Sequence, residues 1–183
     1  VTPISLGIFA SANQSAAATS YESIATVTVG SGGAANVEFT SIPGTYTHLQ
    51  VRGILRSTYS SDQPSLALQI NGSYIDRNHN LYGDGSSAIA YTGTGGNISH
   101  SAGATSGSNV FSAIIIDILD YANTNKYRTV RALSGGDRNG SGFIELCSGL
   151  EQTTSAVTSI TLVSGGANIA QYSTLALYGI KSA

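Results

Sequence analysis

Residues 21–56, YESIATVTVGSGGAANVEFTSIPGTYTHLQVRGILR, leave the chain few ways to fold. Ile24, Thr26 and Thr28 alternate with Ala25, Val27 and Val29, a period of two that places successive side chains on opposite faces of a strand. Gly30-Ser31-Gly32-Gly33 follows and predicts a hairpin loop, since glycine accepts positive φ. Val37 and Phe39 then share one side of a return strand, with Glu38 on the other. Pro43-Gly44 fits the centre of a type II turn. Beyond it Thr47, Leu49, Val51 and Gly53 oppose His48, Gln50 and Arg52. Ile54 breaks the polar side of that strand, which predicts either a bulge or a polar face partly covered by protein.

The same grammar continues. Leu66, Leu68 and Ile70 alternate and end at Asn71-Gly72, a tight-hairpin signal. Residues 71–109 read as a long loop-rich excursion pinned by tyrosines and leucines, with a short strand over Ala88–Tyr91 and a second flexible loop over Gly93–Ser108. Residues 110–118, VFSAIIIDI, carry apolar side chains on both parities, as a central strand covered on both sides does. Tyr121–Asn125 is a turn, Tyr127–Leu133 a returning strand, and Thr158–Val163 and Thr174–Ile180 close the chain. Ser31–Val37 and Ser164–Ile169 echo one another around their glycines, but one echo does not make a repeat protein. Some eight to ten short strands joined by Gly, Pro and Asn turns predict an all-β protein, an antiparallel β-sandwich of jelly-roll type. The expected division is an N-terminal arm or short helix over 1–20 and a single sandwich domain over 21–183.

Residues 1–20 differ from the rest. Ile4, Leu6, Ile8 and Phe9 precede a Ser/Ala stretch in which Ser11 or Asn13 can cap a brief helix over Gln14–Ala18. Two readings stand: a flexible leader, or an arm that docks those four apolar residues on a neighbouring subunit. The segment lacks the basic start and sustained apolar core of a signal peptide.

Composition narrows function more than it names it. Charged residues are 10% of the chain, against about 25% in an ordinary domain, so Ser, Thr, Asn, Gln and Gly must cover the surface. A net charge of −2 gives no electrostatic reason to bind nucleic acid. The longest apolar run, Ala113–Ile116, is far short of the roughly 20 residues of a membrane span. Cys147 is alone, excludes an intrachain disulfide, and reads as a small buried side chain. Asp76, His79 and Asp84 match neither zinc nor EF-hand spacing, and His48 reads as a sheet residue. No G-x-S-x-G elbow or close carboxylate pair is present, so no enzyme and no cofactor is expected. Lys126, Arg128, Arg131 and Arg138 are the only basic concentration and read as intersubunit or solvated charges.

Two segments carry a resemblance. Phe39-Thr40-Ser41-Ile42-Pro43-Gly44-Thr45-Tyr46-Thr47-His48-Leu49 and Tyr172-Ser173-Thr174-Leu175-Ala176-Leu177-Tyr178-Gly179-Ile180-Lys181 resemble the two signature ends of a group of small β-sandwich virion proteins of tailed bacteriophages. The resemblance spans roughly 21–181, and its motifs are structural in kind. It implies a virion component on the outer capsid surface, a decoration or cement protein bound to a major capsid protein, self-associating and expected as a trimer. The alternative it leaves is a tail-associated module that contacts tail proteins or a host surface glycan, with Tyr59, Tyr74, Tyr82 and Tyr91 as aromatic platforms. The interface candidates are therefore Ile4, Leu6, Ile8, Phe9, Tyr74, Tyr82, Arg128 and Arg131.

Overall fold

The computed structural model describes residues 20–182, and the strands below are those of the described residues. They are β1 (Tyr21–Thr28), β2 (Asn36–Phe39), β3 (His48–Leu55), β4 (Ser65–Ile70), β5 (Ser73–Tyr74), β6 (Arg77–Gly83) and β7 (Ala88–Gly93). The second half adds β8 (Asn97–His100), β9 (Ser112–Leu119), β10 (Arg128–Asp137), β11 (Gly142–Glu151), β12 (Ile160–Ser164) and β13 (Thr174–Ile180). One antiparallel sheet of eight strands runs β1-β13-β3-β9-β10-β11-β6-β7; the other runs β2-β12-β4-β5, with β8 also paired to β4.

The two sheets bury one core between them. Leu49, Val51, Ile114, Ile116, Ile118, Val130, Leu175 and Leu177 come from the large sheet, and Val37, Phe39, Leu66, Leu68, Ile70, Ile160 and Leu162 from the small one. The alternation read along β2, β3 and β4 is the alternation observed. Asn71 (φ 51°) and Gly72 (φ 80°) both take the left-handed conformation that a two-residue hairpin requires, and they join β4 to β5.

Several expectations are corrected. The Gly30–Gly33 loop does not close a hairpin: β2 pairs with β12, so the loop carries the chain from one sheet to the other. Gly44 is not left-handed; that conformation falls on Ser41 (φ 54°), so no type II turn forms at Pro43-Gly44. The register of β3 is unbroken through Ile54 on both sides, so there is no bulge there, and Ile54 lies exposed on the outer face. Residues 71–109 hold β5 to β8 instead of a loop excursion. The inward residues of β6 are Asn78 and Asn80, which carry no apolar alternation, and pairing with β11 recruits the strand all the same.

The two resemblance segments meet in space. Gly179 pairs with Leu49 and Ile180 with His48, while Thr47 N donates to Ile180 O at 2.8 Å. The Tyr46 ring lies directly on the Gly179 backbone, and a Cβ there would sit 2.4 Å from the ring. Tyr46 Oη and Lys181 Nζ both donate to Glu22, at 3.2 and 2.8 Å. The Lys181 ammonium holds the Glu22 carboxyl below its usual range, against the opposing effect of desolvation. The two echoing glycine segments also touch: Ala34 and Ile169 exchange a pair of backbone hydrogen bonds of 2.9 and 2.7 Å.

Candidate functional site

The register of the large sheet writes its outer face in rows. One row crosses seven strands as Ala176, Arg52, Ile115, Leu133, Leu146, Leu81 and Ala90. The next reads Thr174, Ile54, Ala113, Gly135, Ile144, Gly83 and Ala88. Together they form an apolar stripe at right angles to the strands. Ile144 is 61% exposed and Leu81 55%, and Ile54, Leu133 and Leu146 are nearly as open. Gly135 and Gly136 leave a trough beside Ile144, a hollow of about 740 Å³ bounded by Phe111, Ala113, Ile115 and the 137–142 turn. A contiguous apolar patch framed by polar residues is the usual mark of a surface that meets other protein.

The row on the other side of the stripe is polar: Tyr178, Gln50, Asp117, Arg131, Ser148, His79 and Thr92. It is laced together. Tyr21 Oη donates to Gln50 Oε1 at 2.7 Å, Gln50 Nε2 donates to Asp117 Oδ1 at 2.7 Å, and Arg131 Nη2 reaches Asp117 Oδ2 at 3.2 Å. A partner on this face would find hydrocarbon along one line and fixed polar groups along the next.

On the opposite, inward side of β6 and β7 lies a second hollow of about 540 Å³. Two of its lining residues, Tyr91 and His100, converge on Glu145, 1% exposed, whose Oε1 accepts from Tyr91 Oη at 2.5 Å. Its Oε2 accepts from the His100 backbone N–H at 3.0 Å and faces His100 Nδ1 at 2.9 Å. Burial raises the Glu145 carboxyl, but the hydrogen bonds from His100 and Tyr91 outweigh it and bring the group below its usual range. Burial, and then donation to Glu145, pushes the Tyr91 hydroxyl far up. Burial beside Glu145 likewise raises the Cys147 thiol to about 12, which makes it inert. Both Glu145 oxygens are thus engaged in holding Tyr91 and His100 in place.

The predicted interface residues scatter. Ile4, Leu6, Ile8 and Phe9 lie outside the described residues. Tyr74 is exposed at the end of β5, packed on Gly96; Tyr82 is half-buried in the inward hollow, stacked on Phe143. Arg131 is exposed in the polar row. Arg128 is corrected: it is 1% exposed, beneath the sheet, where its Nε and Nη2 donate to Glu151 at 3.1 and 2.8 Å. Position in a basic run says nothing about which face a residue takes, and the register puts Arg128 inward opposite Glu151. Arg138 binds Asp62 and Lys126 binds Asp120, so the basic run is divided among separate pairs. Asp76 accepts from Gln152 N and Asp84 caps its own turn through Ser86 and Ser87. Among the described residues no three His, Cys, Asp or Glu gather.

The stripe residues Leu81, Leu133, Ile144 and Leu146 are missed by sequence reasoning as site residues. The signal for them is Ile54 and the double-parity run at 113–116, where hydrocarbon falls on the face that ought to be polar. The fold and face define a protein of two antiparallel sheets with exposed apolar residues in rows on the outside of the larger one. Comparison with family models, with curated proteins and with solved structures gives no match.

Proposed function

We propose that this chain is a non-enzymatic structural protein of a tailed-phage virion, a capsid decoration or cement subunit. In this reading it seats the outer face of its eight-stranded sheet against the major capsid protein or a neighbouring copy. The observation that carries it is the apolar stripe, two residues wide across the five strands from β9 to β7, on the outside of the large sheet. The phage assignment itself rests on the two sequence segments. Their meeting at Tyr46 and Gly179 supports a shared structural purpose for both. The finer, jelly-roll-like reading is supported by β1 lying beside β13 and by the repeated passage of the chain between sheets.

The mechanism is energetic linkage. Hydrocarbon that stays wet in the free subunit is removed from water only on the assembled shell, at about 25 cal/mol per Å², so binding favours the assembled state by mass action. The polar row alongside fixes the orientation. A subunit of this kind needs no steep charge complementarity, which agrees with so few charged residues.

The test uses particles of the virus that encodes the chain. Antibody against the protein should label the head uniformly, and the full chain should rebind heads from which it has been stripped. The pair Ile144→Asp and Leu146→Asp should abolish rebinding while leaving thermal unfolding within about 0.5 kcal/mol of the parent, as surface changes do. Label confined to the tail tip, or rebinding undiminished by both aspartates, would overturn the reading.

A further inference from the structure

We infer that the inward hollow between the β6–β7 hairpin and β8 is a binding site for a neutral, hydroxyl-rich ligand, a saccharide unit. This goes beyond the proposed role, because the hollow and the apolar stripe are on opposite faces of the large sheet.

The argument starts from an acceptor without a donor. Asn78, 1% exposed, lines the hollow, and its Nδ2 donates to the Asn97 carbonyl. Its Oδ1 is buried and has no hydrogen-bond partner. Leaving such a group unpaired is unfavourable, so a hydroxyl donated to it is favoured. Gly93, opposite Asn78 in the hairpin, packs its backbone close to Oδ1, and a Cβ there would clash with it at 2.6 Å.

His100 lines the same hollow, with Nδ1 turned to Glu145 Oε2 at 2.9 Å. A donor completes the set. Gln63, with its amide turned to satisfy both neighbours, accepts from Arg138 Nη2 at 2.8 Å and donates to Tyr82 Oη at 2.7 Å. In that arrangement the Tyr82 hydroxyl donates back to the Gln63 oxygen at 3.2 Å, so the donor that remains for a ligand is the Asn97 amide. The exposed Asn97 amide lies at the rim, and the Tyr82 and Tyr91 rings, both half-buried, offer faces of the kind on which sugar C–H groups settle.

Other ligand classes fit less well. Neither Lys nor Arg lines the hollow, and a carboxylate underlies it, so an anion has no counter-charge. A cation gains little, because both Glu145 oxygens are already taken by Tyr91 and His100. A purely apolar ligand would leave Asn78 Oδ1 unpaired. The volume, about 540 Å³, lies within the range of small-molecule sites and is ample for one or two sugar rings.

The experiment is a titration of the full chain followed by NMR, with glucose, galactose and N-acetylglucosamine as probes, and glucuronate, choline and adenosine as class controls. At least one neutral sugar should shift resonances of β6, β7 and β8, with a dissociation constant of the order of millimolar. Asn78→Leu should weaken it about tenfold, the effect of one lost hydrogen bond. Asn97→Ala, at an exposed position, gives the same test should Asn78→Leu fail to fold. Tighter binding of a tetrasaccharide built from the responding sugar than of the monomer marks a surface glycan as the source, and equal binding marks free sugar; either outcome supports the site. Ile144→Asp should leave sugar binding intact, which separates failure here from failure of the cement role. Silence from all three sugars, stronger binding of any control, or binding that survives both asparagine replacements would overturn the inference.

Discussion

Replacing Arg128 by methionine should be among the most damaging single changes available to this protein. Arg128 and Glu151 face each other across β10 and β11 with side chains 1% and 2% exposed. The guanidinium donates twice to Glu151 Oε2 and once, at 2.9 Å, to Thr153 Oγ1, which itself donates to Glu151 Oε1 at 2.7 Å. Arg128→Met leaves the carboxylate buried with Thr153 as its sole remaining side-chain partner, a situation that costs about 3–5 kcal/mol. For a domain of this size each kcal/mol moves the midpoint by about 2–4 °C, so Tm should fall by roughly 6–20 °C. The pair itself is not the source of the loss. Arg128 Nη1 is buried and unpartnered, and two desolvated charges recover little more than they cost. The double variant Arg128→Met, Glu151→Leu should therefore regain most of the stability, less about 1 kcal/mol for the Thr153 hydroxyl. Urea unfolding followed by circular dichroism gives all the corners of the cycle, and the coupling should exceed about 2 kcal/mol. A single variant that loses under about 1 kcal/mol, or a double variant no more stable than the single, would refute the reasoning.

Two further outcomes are expected. Gly179→Ala pushes a methyl into the Tyr46 ring at 2.4 Å and should cost about 1–3 kcal/mol by overpacking, whereas Gly179→Ala with Tyr46→Ala should show much of that cost relieved; equilibrium unfolding measures both. Because the Glu145 carboxyl is lower in the folded chain than in the unfolded one, its contribution is fully present above the unfolded value near 4.5 and is lost as pH falls through the folded one. The difference in Tm between the parent and Glu145→Gln should accordingly shrink between about pH 5 and pH 3; a difference constant over that window would contradict the hydrogen-bonded carboxylate described here.

Much of the core could be read from the chain, because a strand's period of two is written in its own residues. Leu49 and Val51, Leu66 and Leu68, and Leu175 and Leu177 are all buried as their alternation demands, whereas the run at 110–118, expected to be covered on both sides, buries only Ile114, Ile116 and Ile118 of its apolar residues and leaves Ala113 exposed. The Asn71-Gly72 turn is equally local: two left-handed residues are needed, and that pair supplies them. Strand β7 was legible as Ala88–Tyr91, whereas β6 and β8 were not, because their inward positions are Asn78, Asn80 and Ser99, whose burial depends on β11 and β4 approaching from far along the chain. The same distance hides both sites. Leu81, Leu133 and Leu146 share a line only because two registers agree, and Arg128 turns inward opposite Glu151. Local sequence determined which residues form strands and, for most, which side is apolar. Only the tertiary structure decided which strands lie together, and hence which side chains add up to a surface, since hydrogen-bond register between distant strands is a property of no single segment.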